Sequence, residues 1–260
     1  MGVLEQFRLD DRVAIVTGGA RGLGRQHALA LAEAGARVAI CDLLDDAGER
    51  TRAELAALGR DALYARADVT AGEQLDSFVQ EVMRRFGRID ILVNNAAMPS
   101  EGVPLSDVPD ELWRKIVDTN LSSMFYVGKR VAARMLAAGS GSIINIGSIN
   151  SFVISNIAPR HNVTYCVAKA GVAQLTRGMA AEWAKQGIRV NALAPGYILT
   201  DQTAASAKIP EVYERNVANT PMGRYGRLDE LSGALVFLAS DASSFMTGSV
   251  LTLDGGYTIW

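Results

Sequence analysis

Histidine and cysteine are scarce in this 260-residue chain, with two of each: His27, His161, Cys41 and Cys166. Two cysteines cannot build a framework of bridges. The four residues are scattered along the chain and do not form the three- or four-ligand cluster that a zinc site needs. Long apolar runs are also missing, so no segment reads as a membrane span. Neither sign of charge dominates. Twenty-six Lys and Arg face 28 Asp and Glu, for a net charge of -2, and they are spread rather than massed. That leaves no electrostatic case for nucleic acid or an anionic membrane as partner. The first residues lack a basic start followed by an apolar stretch, so no signal peptide is expected. Gln6 stands where myristoylation wants Ser or Thr. The expected location is the cytoplasm.

What is present is a large apolar complement, 49% of residues, arranged as short β-rich runs alternating with Ala/Leu-rich helical segments. Strands are expected at 12–17, 37–41, 62–67, 89–93, 142–146, 188–193 and 249–253. Helices are expected at 23–34, 45–58, 71–86, 110–138 (bent midway), 163–186, near 210–217 and at 229–238. Strict alternation implies right-handed crossovers and a parallel sheet covered on both faces. The expected architecture is α/β: a doubly wound Rossmann fold with a seven-stranded parallel sheet, as one dinucleotide-binding and catalytic domain over residues 1–260. Two segments, 149–162 and most of 197–228, show no clear element, and long irregular segments in a compact domain are usually functional.

The first strand runs into Thr17-Gly18-Gly19-Ala20-Arg21-Gly22-Leu23-Gly24. Glycines at 18, 22 and 24 allow a tight turn and a close approach of backbone N–H groups to a pyrophosphate at a helix N-terminus. A Gly-rich turn without a ligand is the bland alternative. Asp42 ends the second strand, 20 residues after Gly22, where an acid would take the ribose hydroxyls of an adenosine. Its charge repels a 2′-phosphate and favours NAD over NADP. Arg21 pulls the other way, and Asp42 could instead be a helix cap. Asp68-Val69 and Asn94-Asn95-Ala96-Ala97 follow the third and fourth strands, at carboxyl ends where open α/β sheets bind ligands. Asp68 could accept from the adenine amino group and Asn95 could line the ribose. Each could equally be turn chemistry.

Tyr165 and Lys169 are four apart on a helix and share a face. Ser148 follows a strand end. Oxidising an alcohol requires removal of its O–H proton as the hydride leaves, and a free phenol, with a pKa of about 10, is a poor base at neutral pH. An adjacent ammonium stabilises the phenolate. Bringing it into working range takes about 4 kcal/mol. Ser148 can hold the substrate oxygen.

Thr17-Gly18, Gly22-Leu23-Gly24, Asn94-Asn95-Ala96, Asn120, Ser148, Tyr165, Lys169 and Pro195-Gly196 together resemble the short-chain dehydrogenase/reductase family, in order and over the whole chain. The resemblance implies Tyr165 as acid/base, with Lys169 lowering its pKa and touching the nicotinamide ribose. It implies Ser148 as substrate anchor and Asn120 as the residue tying Lys169, through water, to a proton relay. Pro195, Gly196, Ile198 and Thr200 would flank the nicotinamide. Two features depart from the family: Ala97 replaces a usual glycine, and Ser148 and Tyr165 are 17 apart where the common gap is nearer 13. The intervening loop is therefore long, and Ser151 or Ser155 could be the anchor instead.

The words Glu182-Trp183, Asn191 to Tyr197, Thr220 to Arg224 and Asp254 to Trp260 look like the polyol dehydrogenase branch (galactitol, sorbitol, mannitol, threitol). That branch interconverts a sugar alcohol and a ketose. The resemblance further implies a homotetramer, with Trp260 as an interface anchor. It also admits a structural magnesium ion near the C-terminus, which nothing in the tail itself identifies. Polar residues suited to a hydroxyl-rich substrate stand in both irregular segments: Asn150, Ser151, Ser155, Asn156, Arg160, His161 and Asn162 in the first, Thr203, Ser206, Lys208 and Asn216 in the second. Two rival readings are a 3-oxoacyl-carrier-protein reductase on the same fold and a non-catalytic dinucleotide-binding regulator. Asp42 argues against the first, and the complete Ser-Tyr-Lys-Asn set against the second.

Overall fold

The computed structural model describes residues 2–99, 103–154, 162–200, 203–204 and 207–259. Seven parallel strands form one sheet in the order β3-β2-β1-β4-β5-β6-β7. They are β1 (Val13–Thr17), β2 (Arg37–Asp42), β3 (Ala62–Arg66), β4 (Ile91–Asn94), β5 (Gly141–Ile146), β6 (Ile188–Pro195) and β7 (Val250–Leu253). The order reverses between β1 and β4, which creates the crevice where open α/β sheets bind ligands.

Alternation along the strands explains the layering. Val13 and Ile15 of β1 point into one core cluster, and Ala14 and Val16 into the other, as period-2 geometry requires. The first cluster is sealed by α3 (Gly72–Phe86), α5 (Ser123–Ala138) and α6 (Val163–Trp183), through Leu75, Phe78, Val131 and Met179. The second is sealed by α1 (Gly22–Glu33), α2 (Asp45–Ala57) and α8 (Ser232–Ala239), through Leu31, Leu55 and Leu235. Leu31, Leu55, Leu75 and Leu235 are fully buried, each contributing about 1.5–3 kcal/mol relative to exposure. Two shorter helices, α4 (Asp110–Val117) and α7 (Pro210–Ala218), complete the described set.

The bend expected within 110–138 is a π turn, Asp118–Ser122, between α4 and α5. Several other boundaries differ from expectation, two of them with a visible cause or form. The fourth strand starts at Ile91 and takes in Asn94, because Asn94 pairs with Asn145 of β5 across the ladder. The helix expected at 229–238 opens as a 3-10 turn, Leu228–Leu231, before α8 begins. Among the described residues, no helix is long and apolar enough to cross a membrane.

Candidate active site and dinucleotide cleft

The ends of β1 and β4 are joined at the crevice. Thr17 Oγ1 accepts from the backbone N–H groups of Asn95 at 3.0 Å and Ala96 at 3.1 Å. Asn95 Nδ2 donates back to the carbonyls of Thr17 and Gly18, at 3.0 and 3.1 Å. The Asn95 side chain therefore holds the glycine-rich loop in place. That loop fits a dinucleotide pyrophosphate. At Gly22, with φ +55, an added Cβ would meet nothing within 4 Å, so the backbone is bare on its outer side. At Gly24 an added Cβ would stand 2.0 Å from the Gly18 carbonyl oxygen, so α1 sits directly on the turn. The unpaired N–H groups of its first turn complete an anion cradle.

Asp42, at the end of β2, accepts from Ala20 N through Oδ2 at 3.1 Å, and from Leu43 N and Leu44 N through Oδ1 at 2.7 and 3.2 Å. The carboxylate ties the loop after β1 to the loop after β2, as well as placing a negative charge there. Arg21 is exposed at the start of α1 and lines a surface cleft with Leu43, Leu44, Asp46 and Arg50. Asp68 Oδ1 accepts from Thr70 N and Thr70 Oγ1, at 2.8 and 2.7 Å, and Val69 is buried in the core. Both perform turn or packing duties there.

The other half of the crevice is built on β5, β6 and α6. Ser148 follows β5. Its Oγ accepts from Asn150 N at 3.2 Å, and its hydroxyl lies close enough to the Tyr165 phenol to act on its pKa. Ser151 is committed elsewhere, donating to the Lys169 carbonyl at 2.8 Å. Asn162 caps α6, its side chain accepting from Tyr165 N. One turn after Tyr165 on α6, Lys169 is 1% exposed. Its Nζ donates to the Ile146 carbonyl at 2.8 Å and lies 5.5 Å from the centroid of the Tyr165 ring.

The electrostatics differ from the sequence-based expectation. Burial pushes the Tyr165 phenol up to about 12, only partly offset by the Ser148 hydroxyl. Burial likewise pulls Lys169 down to about 8. The expected lowering of the phenol is not realised, because the ammonium is bonded to a backbone carbonyl and burial outweighs the Ser148 hydroxyl. Spacing on a helix revealed the pair but not the third partner, Ile146, which only the fold brings in.

Asn120 lies in the π turn and is fully buried. Its Oδ1 accepts from Met98 N at 2.8 Å and its Nδ2 donates to the Met98 carbonyl at 3.0 Å. The amide thus grips the segment that follows β4 on both sides, a contact that no sequence spacing signalled. On the far side, β6 ends at Pro195. An added Cβ on Gly196 would stand 2.6 Å from Asp254 Cα, so the chain after β6 is pressed against the C-terminal tail. Ile198 is buried and bridges to Gly226. Thr200 exchanges hydrogen bonds with Thr203. The segment 197–228 carries α7, and Asn216 on it donates to Tyr225 OH at 2.7 Å.

Of the other polar residues singled out as substrate partners, Asn150 is buried and Lys208 exposed. Ser155, Asn156, Arg160, His161 and Ser206, and the proposed anchor Trp260, lie outside the described residues. Among the described residues, no group of three or more His, Cys, Asp or Glu comes together as a metal site.

Comparison with known proteins bears on this geometry. A family model described as enoyl-(acyl carrier protein) reductase matches residues 18–258. The chain is 40% identical over 256 residues to a galactitol 2-dehydrogenase (L-tagatose-forming) of Cereibacter sphaeroides, covering 98% of each. It is 41% identical over 249 residues to a cis-4-hydroxycyclohexanecarboxylate dehydrogenase of Sinomonas cyclohexanicum, covering 95% of this chain and 97% of that one. A crystal structure of a gluconate 5-dehydrogenase from Burkholderia cenocepacia, in complex with NADP and tartrate, superposes with a TM-score of 0.93. It is 39% identical, with all of both chains covered.

Proposed function

The chain belongs to the short-chain dehydrogenase/reductase family, an oxidoreductase family acting on CH–OH groups, and we propose that it interconverts a secondary alcohol of a small polyol and the corresponding ketose with NAD. The observation that carries this reading is the cluster at the carboxyl end of β5: Ser148 beside the Tyr165 phenol, with the Lys169 ammonium 5.5 Å from the ring centroid and bonded to the Ile146 carbonyl. When bound, the nicotinamide supplies the hydride acceptor.

Ser148 holds the substrate oxygen, and Tyr165 takes the hydroxyl proton. With its phenol at about 12, Tyr165 is the protonated member at neutral pH, suited to donating a proton in the reverse direction. In the forward direction the phenolate is needed, so the phenol must be brought down from that value when the site is occupied. Asn120 holds the segment that follows β4 through Met98. Gly18, Gly22, Leu23, Gly24 and Ala96 would hold the dinucleotide at the crevice, with Pro195, Gly196, Ile198 and Thr200 on the nicotinamide side. Asp42 favours NAD, because a 2′-phosphate beside a carboxylate is repelled. The galactitol dehydrogenase relative supports the polyol assignment.

A second reading, reduction of a 3-oxoacyl thioester or other small carbonyl, is favoured by the apolar side chains that the two irregular segments expose: Phe152, Ile154, Leu199 and Ile209. The deciding experiment follows reduced nicotinamide by absorbance, with C4–C6 polyols and ketoses against acyl thioesters, and NAD and NADP side by side. Turnover confined to thioesters or simple aliphatic alcohols overturns the polyol reading.

The working unit is proposed to be a cytoplasmic homotetramer. Helices α4, α5 and α6 expose Trp113, Phe125, Leu136 and Val167, apolar surface of the kind that subunits cover. A monomer by light scattering at micromolar concentration overturns it.

A further inference from the structure

Four of the chain's seven tyrosines meet at one place, although they come from α7, from both ends of the segment that carries it, and from the C-terminal tail. Tyr213, on α7, leans on Tyr225 with ring centroids 5.1 Å apart. Tyr225 stacks on Tyr197 at 5.7 Å. Tyr257, in the tail, meets Tyr197 edge-on at 5.3 Å. These are favourable geometries for aromatic pairs, and they make a continuous path of rings from α7 to the tail. Backbone bonds pin the middle of the path. Gly226 N donates to the Tyr197 carbonyl and Leu199 N to the Gly226 carbonyl, both at 2.9 Å. The segment 197–226 therefore rises from a closed neck, with Tyr197 and Tyr225 at its two sides.

The two ends of the path are held very differently. At the tail, Asp254 accepts from Gly256 N, Thr258 N and Thr258 Oγ1, at 2.9, 2.8 and 2.7 Å, which closes a turn that presents Tyr257. Helix α7 has one buried residue, Asn216, and its amide is bonded to Tyr225 OH at 2.7 Å. A short helix is held mainly by the packing of an apolar face, which α7 lacks, so its placement depends on the neck and the rings. The neck in turn stands beside the reactive cluster. Ile146 is in register with Leu193, and Gly147 N donates to the Leu193 carbonyl at 2.7 Å. The chain leaving β6 thus runs alongside the chain that leads to Ser148, about 4.8 Å away. The glycine-rich loop and Asp42 lie on β1 and β2 and are pinned by bonds of their own. Resting on the alcohol chemistry proposed above, we propose that Tyr257 is a positioning residue for the substrate. Through Tyr197 and Tyr225 it fixes the neck beside Ser148 and the helix that rises from it, and so governs substrate affinity without touching the reacting atoms.

The test compares Tyr257→Ala with Tyr257→Phe, which keeps the ring and loses only the hydroxyl. Three readings are taken on each: oxidation of galactitol, sorbitol and threitol with NAD, NADH affinity by fluorescence, and hydrogen exchange of the α7 amides. In Y257A the polyol KM should rise at least tenfold, with kcat within threefold and NADH affinity within twofold of wild type. The α7 amides should exchange at least tenfold faster while those of β5 keep their rates. Y257F should match wild type within twofold in every reading. Unchanged KM, unchanged α7 exchange, a loss of NADH affinity as large as the rise in KM, or a Y257F as impaired as Y257A overturns the proposal. If Y257A does not fold, Tyr213→Ala decides, because it trims the exposed end of the path. Its polyol KM and α7 exchange should each rise at least threefold, and a wild-type value in either overturns the proposal. A wild-type enzyme inactive on every polyol and ketose would instead sink the alcohol chemistry. Faster α7 exchange in Y257A, restored in Y257F, would then leave the tail's hold on α7 standing.

Discussion

Lys169 holds its ammonium 5.5 Å from the centroid of the Tyr165 ring, while its hydrogen bond goes to the Ile146 carbonyl. The lysine is thus fixed from the strand side, and its hydrogen bond goes to the strand backbone rather than to the phenol oxygen. Orientation of the pair depends on β5 as much as on the helix that carries both residues.

Removing the phenol oxygen tests this arrangement directly. Tyr165→Phe should lower kcat by roughly two to four orders of magnitude, the range for losing a general acid/base. Binding of reduced nicotinamide, read by fluorescence titration, should change little. Near wild-type turnover would show that another group moves the proton.

Lys169 should be a stability liability. Burial lowers its pKa from 10.5 to about 8, so the cost of burying the ammonium is fully present below pH 8 and fades as pH rises through 10.5. Lys169→Met should remove a penalty of about 3 kcal/mol at neutral pH, less about 1 kcal/mol for the lost bond to Ile146. Urea unfolding at pH 7 should therefore show a variant more stable than wild type and nearly inactive. Equal or lower stability refutes the point.

His27 makes the opposite kind of prediction on the acid side. It is completely buried on α1, neither ring nitrogen has a partner, and burial holds its pKa at about 4. The unfolded chain binds this proton below about pH 6.5 and the folded chain only below about 4. Stability must therefore fall as pH drops through that window, by about 3 kcal/mol from this group. His27→Leu should flatten the acid limb of the stability curve measured by thermal melts. An unchanged limb would mean that other groups dominate it.

Asp42→Ser separates two roles of one carboxylate. The kcat/KM ratio of NAD to NADP should fall by at least about tenfold, or 1.4 kcal/mol. The melting temperature should fall too, because Ala20, Leu43 and Leu44 lose their shared acceptor. A wild-type enzyme faster with NADP at equal subsaturating concentrations would hand the decision to Arg21.

Most strand and helix positions were legible because period-2 and period-3.6 apolar patterns report burial locally. Val13 to Val16 and Leu75 to Phe86 carry their faces in the sequence. The π turn at Asp118–Ser122 was legible only as a bend, because a wider backbone turn has no side-chain signature of its own. The Ser148, Tyr165 and Lys169 cluster was visible in residue types and spacing. The grip of Asn120 on Met98, the bond from Lys169 to Ile146 and the contacts of Tyr197 with Tyr225 and Tyr257 were not. Each depends on neighbours that only the folded sheet and its loops bring near.

One buried contact has a consequence for assembly of the sheet itself. Asn94 Nδ2 donates to Asn145 Oδ1 at 2.9 Å, and Asn145 Nδ2 donates to Thr176 Oγ1 at 2.9 Å, all within the interior. A one-residue slip between β4 and β5 would exchange the side chains that meet the two cores, mismatching the packing against the helices on both faces. A two-residue slip keeps the faces correct, so hydrophobic patterning cannot reject it. It would strand Asn94 and Asn145 among aliphatic neighbours, at about 1–3 kcal/mol for each unpaired amide. The two asparagines therefore act as a key that admits a single alignment of the sheet's two halves. Replacing both with leucine would be expected to yield a protein as well buried but slower to find its proper register.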